Sequence, residues 1–261
     1  MKINHARILL LLYAGIIAGC IIISPKMVQA SDSGMNDTDA DGLIDSDEQI
    51  VYHTDPTRSD TDGDGYLDGQ EVASGYSPRS ERKERLEATD SDHDGLNDAE
   101  EIAVYHTDLL KPDTDGDGYS DGKEVLSGYD PLAKEPRRVA KRIEVNLTEQ
   151  HLRYFFGAAK VADFAISSGL PGTPTPVGTF TVLKKRPLVN YAGPGYSFPN
   201  TKWNLMFKHG VSLNYYIHGA YWHNDFGRPK SHGCVNVPPD YGHMGKLYDW
   251  AQVGTPVMIT K

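Results

Sequence analysis

The sequence predicts a mainly β domain of about 120 residues with one or two helices, preceded by a small module of cation-binding loops. Three observations carry this reading: the charge is segregated along the chain, an aspartate pattern recurs four times, and apolar residues alternate with period two in the last third. The chain has 261 residues and a formal charge of −10. Residues 31–135 hold 30 acids and 8 bases, whereas residues 136–261 hold 6 acids and 15 bases. So uneven a distribution excludes a uniform single domain. Cys20 and Cys234 are the only cysteines, which excludes a disulfide framework. No nucleic-acid partner is expected.

Residues 1–30 read as an export signal. Lys2 and Arg7 precede an uncharged apolar run from Ile8 to Ile23, and Val28-Gln29-Ala30 supplies the small residues before a cut. Cleavage after Ala30 leaves Cys234 as the sole thiol. Two alternatives are an uncleaved anchor and a lipid attached at Cys20, because Ile17-Ala18-Gly19-Cys20 resembles a bacterial lipobox. Each places the remaining chain in the periplasm or cell envelope, with any membrane contact confined to this segment.

The acidic segment, residues 31–135, is an internal duplication. Each copy of the loop has carboxylates at positions 1, 3, 5, 9 and 12 and glycine at 6. The first pair is Asp37, Asp39, Asp41, Asp45 and Glu48, then Asp60, Asp62, Asp64, Asp68 and Glu71. The second is Asp90, Asp92, Asp94, Asp98 and Glu101, then Asp113, Asp115, Asp117, Asp121 and Glu124. Hard cations such as Ca2+ take six to eight oxygens, and alternate side chains of a tight loop converge on its centre. The carbonyls of Leu43, Tyr66, Leu96 and Tyr119 add the position-7 ligand. An acidic disordered linker is the plain alternative, but it does not require four recurrences of one pattern. Pro56 and the turn at Thr54-Asp55-Pro56 leave room only for a short outgoing helix, which excludes a paired helix-loop-helix. The segment resembles thrombospondin type 3 calcium repeats over residues 36–132, without the cysteines of the animal repeats. That resemblance implies structural Ca2+ and allows ligand sharing by residues such as Asp55 and Asp108.

After an expected linker at Pro131–Arg138, strands are predicted at Arg142–Leu147, His151–Phe156, Val161–Ser168, Gly178–Lys184, Tyr215–His218 and Pro256–Thr260. One amphipathic helix is predicted, capped by Asp240, with Tyr241, Met244, Leu247, Tyr248 and Ala251 on one face. Ser231-His232-Gly233-Cys234-Val235-Asn236 sets a lone cysteine beside histidine and glycine, and His218 lies 16 residues upstream. An imidazole near a thiol lowers its pKa and shuttles protons, and glycine lets backbone N–H groups approach an oxyanion. Two other readings stand beside this one. Cys234 alone suits a small buried apolar residue, and His218, His232 and Cys234 together suit zinc.

At these residues residues 138–261 resemble the L,D-transpeptidase catalytic domain, whose pattern is a histidine, a gap, then Ser/Thr-His-Gly-Cys-x-Arg/Asn. Arg142–Leu147 is similar to the family's opening strand and Gly172–Phe180 to its turn and strand, while Asn236 stands where arginine is commoner. The resemblance implies a β-sandwich acting on peptidoglycan stem peptides without a catalytic cofactor. Cys234 is then the nucleophile and His218 the proton shuttle, oriented by the Gly219 carbonyl. Gly233 and Cys234 N–H groups hold the oxyanion, and Ser231 and His232 shape the pocket. The acyl acceptor is a stem-peptide amine, an envelope protein or water. Trp203, Tyr215, Tyr216, Tyr221 and Trp222 are candidates for the cleft. Two readings compete: a calcium-dependent adhesion protein on a degenerate catalytic fold, and another thiol or metal hydrolase of the wall.

Overall fold

The computed structural model describes residues 36–193, 195–211 and 213–261, so the expected leader over residues 1–30, with Cys20, lies outside it. The acidic segment folds as two copies of one unit. In the first, α1 (Asp45–Asp47) runs into a π-helical turn at Glu48–Tyr52, and α2 (Asp68–Ser74) follows the second loop. In the second, α3 (Asp98–Glu100) runs into a π-helical turn at Glu101–Tyr105, and α4 (Asp121–Ser127) completes the unit. Each helix opens on the position-9 aspartate, whose carboxylate favours the positive end of the helix. Each copy ends on a left-handed residue: His53, Gly75, His106 and Gly128.

The two loops of a unit are tied by one repeated bond. The Gly69 N–H donates to Asp41 at 2.8 Å, and the Gly122 N–H donates to Asp94 at 2.5 Å. A Cβ at Gly69 would lie 2.6 Å from the Asp41 carbonyl oxygen, and one at Gly122 would lie 2.5 Å from that of Asp94. Backbone meets backbone here, so no side-chain movement relieves the contact. Gly122→Ala is therefore expected to destabilise the second unit by about 1–3 kcal/mol, read as a lower midpoint in thermal unfolding.

Each unit closes with an antiparallel bridge, Tyr76 to Arg85 and Tyr129 to Arg138. The arginine guanidinium lies over the tyrosine ring in both, at 4.9 and 4.2 Å. The next residue then returns to the left-handed glycine: Leu86 N–H to the Gly75 carbonyl and Val139 N–H to the Gly128 carbonyl. Pro131–Arg138, expected as a linker, is thus the closing turn of the second unit. It delivers the chain directly into the first strand.

Nine strands follow among the described residues: β1 (Lys141–Asn146), β2 (His151–Phe156), β3 (Ala159–Ala165), β4 (Gly178–Thr181), β5 (Lys184–Gly193), β6 (Tyr196–Lys208), β7 (Tyr215–Gly219), β8 (Val235–Val237) and β9 (Pro256–Thr260). They form two sheets, ordered β3-β2-β1-β9-β4 and β5-β6-β7-β8. Pairing is antiparallel except for β1 with β9 and β7 with β8. Ile143 and Val145 of β1, Leu152 and Tyr154 of β2, and Val257 and Ile259 of β9 alternate into one buried core. Leu205 and Phe207 of β6 and Ile217 of β7 meet them from the second sheet. The mainly β architecture expected from the sequence is the one observed.

A π-helical turn, Tyr241–Gly245, leads into α5 (Lys246–Trp250). Asp240 caps it by accepting the His243 N–H at 3.0 Å. Met244, Leu247 and Ala251 are buried as expected. Tyr241 differs: it is 57% exposed and turns its hydroxyl to Asp249. The predicted segment Gly178–Lys184 divides, β4 ending at Thr181 and β5 beginning at Lys184.

Candidate active site and cation loops

His218 and Cys234 reach one cleft because β7 and β8 run parallel. His218 pairs in register with Asn236, and Cys234 immediately precedes β8. Both line a cleft of about 880 Å³ whose walls include residues of the β5–β6 hairpin. The His218 ring is buried and its Nδ1 lies 3.1 Å from the Gly219 carbonyl. A carbonyl only accepts, so Nδ1 carries the proton and Nε2 keeps a free lone pair. Tyr191 stacks on the ring at 4.7 Å and is itself fixed by donating to Asn204 Oδ1 at 2.8 Å.

Burial pushes His218 down to about 4, which the Gly219 bond only partly opposes. Burial also pushes the Cys234 thiol up to about 11, against a smaller lowering by the Tyr216 backbone. The sulfur is half-buried, and its S–H points to the Asn214 carbonyl at 4.0 Å. Desolvation disfavours whichever form is charged, so the pair rests as neutral thiol and neutral imidazole. The expectation that imidazole depresses the thiol is thereby corrected.

The turn before the cysteine is braced by Ser231. Its hydroxyl donates to the Cys234 carbonyl at 2.5 Å and accepts the Gly233 N–H at 3.1 Å. Gly233 has φ +120°, and a Cβ there would lie 3.0 Å from Cε1 of Tyr215. The Gly233 N–H, expected as an oxyanion donor, is engaged by the Ser231 hydroxyl in this structure. His232 is exposed and stacks on Tyr196 at 4.7 Å. Among the described residues, the clusters of donor atoms close enough to share an ion are the four acidic loops. His218, His232 and Cys234 do not form such a cluster, so the donor geometry does not fit the zinc reading.

Tyr215, Tyr216 and Trp222 line the cleft as expected, but Trp203 and Tyr221 do not. Trp203 packs against the core and Tyr241, while the Tyr221 hydroxyl donates to the Pro199 carbonyl. Sequence reasoning missed Tyr191, Tyr196 and Phe198, which the hairpin brings to the cleft. Phe198 stacks on Trp222 at 3.8 Å and 5°. Asn236 sits with its amide 2.9 Å from His223 Nε2, and its Oδ1 is buried without a partner.

The four acidic loops carry orphaned carboxylate oxygens. In each, the carboxylates at positions 1, 3 and 5 approach within 4.8 Å of one another. The position-12 glutamates, Glu48, Glu71, Glu101 and Glu124, are buried beside them, each with at least one oxygen lacking a partner. Asp39, Asp62, Asp92 and Asp115, at position 3, also keep unpartnered buried oxygens. Burial and the adjoining aspartates push Glu48, Glu71 and Glu124 up to about 7, and Glu101 to about 8. So many clustered hard oxygens fit Ca2+.

Position 9 has a different task. Asp45, Asp98 and Asp121 spend both oxygens on the backbone N–H and hydroxyl of loop position 2, at Thr38, Ser91 and Thr114. Asp68 accepts the Thr61 N–H and retains one free oxygen. Asp55 and Asp108, considered as shared ligands, are engaged elsewhere, by Thr57 and by Lys111 and His53.

Comparison with known proteins matches these two sites to two families. Residues 140–259 match the L,D-transpeptidase catalytic domain. Residues 37–59, 60–75, 90–112 and 113–134 each match the bacterial TSP3 repeat. No curated protein matches the chain. Among solved structures, an L,D-transpeptidase from Mycobacterium smegmatis is 25% identical, with 48% of this chain and 60% of that one covered and a TM-score of 0.42. A cysteine-to-serine mutant of the Enterococcus faecium L,D-transpeptidase is 28% identical, with 55% and 54% covered and a TM-score of 0.42. The chain thus spans little more than half the length of these two proteins. The isolated catalytic domain of the E. faecium enzyme, solved by NMR, is 30% identical, with 46% of this chain and 95% of that one covered and a TM-score of 0.40. Through residues 140–259 the chain belongs to the L,D-transpeptidase catalytic-domain family, carried behind two pairs of bacterial TSP3 repeats.

Proposed function

We propose that the chain is an exported L,D-transpeptidase of the periplasm or cell envelope, with its calcium-loaded repeats set between leader and catalyst. The observation that carries this reading is one cleft lined by both the Cys234 thiol and a buried imidazole whose Nε2 is left free by the Gly219 bond. In the acylation step the Cys234 sulfur bonds to the carbonyl carbon between the third residue of a stem peptide and its terminal D-alanine. The S–H proton passes to His218 Nε2. Collapse of the adduct breaks the C–N bond, and Nε2 returns that proton to the departing amine. Nε2 then deprotonates the acceptor, which displaces the sulfur and restores the thiol. An amine on a second stem or on an envelope protein gives a cross-link; water gives trimming.

The hairpin aromatics Tyr191, Tyr196 and Phe198 wall the cleft. In the repeats, positions 1, 3, 5 and 12 of each loop hold Ca2+, which supplies charge neutralisation and no chemistry. The test is incubation of the chain with purified tetrapeptide muropeptides. Loss of D-alanine, with dimer masses and an acyl adduct on Cys234, is expected. Unchanged muropeptides would remove the transpeptidase reading. The mass of the mature amino terminus separates cleavage after Ala30 from lipid at Cys20.

A further inference from the structure

We infer that divalent-cation occupancy of the second loop pair stabilises the catalytic domain itself, while occupancy of the first pair does not. The second unit is not a detachable spacer. Leu96, Tyr105 and Val125 belong to the same contiguous core as Ile143, Tyr154 and Trp250. Tyr105 is 5% exposed and sets its ring edge on Phe156 of β2 at 5.4 Å. No residue before Leu96 enters that core among the described residues.

The docking side chains and the cation ligands share the same short helices. Glu101 begins the π-helical turn that Tyr105 ends, and Glu124 directly precedes Val125 in α4. Leu96 stands at position 7 of the third loop, where a carbonyl ligand is expected, while its side chain is in the core. A three-residue helix and a seven-residue helix do not hold themselves together in water. Their order comes from loop and core jointly, so loosening the loop releases the residues that cover β2.

Polar contacts strengthen the joint. Lys141 Nζ donates to the Leu126 carbonyl at 2.9 Å and to the Trp250 carbonyl at 2.8 Å, joining the carboxyl ends of α4 and α5. Gln252 Nε2 donates to the same Leu126 carbonyl at 2.6 Å, and Lys246 pairs with Glu100 at 2.8 Å. Among the described residues, the first unit's hydrogen bonds and ion pairs beyond itself go to the second, through the Ala99 N–H to the Leu86 carbonyl at 3.2 Å and the His53–Asp108 pair at 2.9 Å.

The inference rests on the loops holding Ca2+, and one experiment separates the two. Trp203, Trp222 and Trp250 are the only tryptophans, so tryptophan fluorescence reports on the catalytic domain alone. The full chain is melted in millimolar Ca2+ and in chelator, with bound Ca2+ counted by titration calorimetry. Chelation is expected to lower the tryptophan midpoint by about 5 °C or more. Asp115→Asn in the fourth loop should lose most of that response and Asp62→Asn in the second should keep it. If Asp115→Asn does not fold, Asp62→Asn decides: it should keep the full chelator response of the unmodified chain, and a reduced response overturns the assignment to the second pair. Ca2+ that binds without moving the tryptophan midpoint overturns the coupling and leaves the loops as cation sites. Equal effects of the two variants overturn the assignment to the second pair, and no bound Ca2+ overturns both readings.

Discussion

Cys234→Ala is expected to abolish D-alanine release and cross-linking, a loss of roughly 10⁴-fold or more, because no other group in the cleft can form the thioester. The fold should survive. Cys234 lies half-buried at the end of a braced turn, and the interaction made by its sulfur is a weak S–H contact to the Asn214 carbonyl at 4.0 Å. Ser231 holds the turn through the Cys234 carbonyl, which alanine retains. Stability should therefore change by about 1 kcal/mol or less. Mass spectrometry of protein incubated with an acyl donor, beside a thermal melt, checks both parts. An alanine variant that still releases D-alanine near the original rate would end the thiol mechanism, and one that is unfolded would refute the structural part.

How much of this was legible in the sequence differs by element. β2 and β9 read off with their observed bounds because a clean alternation, Leu152-Tyr154-Phe156 and Val257-Ile259, faces one core. β5 left no such trace, since none of its residues is buried and its length carries Lys184, Lys185, Arg186 and Pro187. β6 breaks its own period at Asn200 and Trp203, both with φ +54°. β8 is three residues long and buried throughout, too short for any period to show. The cleft aromatics on β5 and β6 were missed for this same reason: without the hairpin, Tyr191, Tyr196 and Phe198 have no reason to meet His218.

The chemistry-bearing residues fared better than the joints between modules. His218 and Cys234 were legible because a thiol beside a histidine-glycine motif is a compact pattern. The expected linker failed because Pro131–Arg138 has loop composition, yet its counterpart, residues 78–85, already closes the first unit with the same Tyr–Arg bridge. The duplication itself contained that signal. A unit boundary drawn at the repeat length, rather than where the acids end, would have carried the second unit up to β1. Direction of pKa was illegible for a different reason. Proximity of imidazole and thiol is a matter of spacing, but burial of both, which decides their charge, is a property of the folded cleft.

That burial sets the expected behaviour of His218. Its imidazole is held down to about 4, below the ordinary value of 6.5, so Nε2 is unprotonated at every pH well above 4. The Cys234 proton is held until about 11. Acylation should therefore be flat from about pH 5.5 to pH 9 and fall only as acid protonates His218, about two units lower than an exposed histidine would give. A resting thiolate–imidazolium pair would behave otherwise, since its rate would track protonation nearer neutrality. His218→Ala should cost roughly 10²–10⁴-fold in acylation, the usual worth of a positioned proton shuttle. In that variant the residual rate should climb about tenfold per pH unit toward 11, because attack then needs thiolate made by solvent rather than by Nε2. Stopped-flow acylation of both proteins with one soluble acyl donor across pH 4–10 reads all three features. An acid limb centred near 6.5 in the unmodified enzyme, or a flat profile in His218→Ala, would show that the imidazole is not the buried neutral base that the Gly219 bond and the Tyr191 stack define.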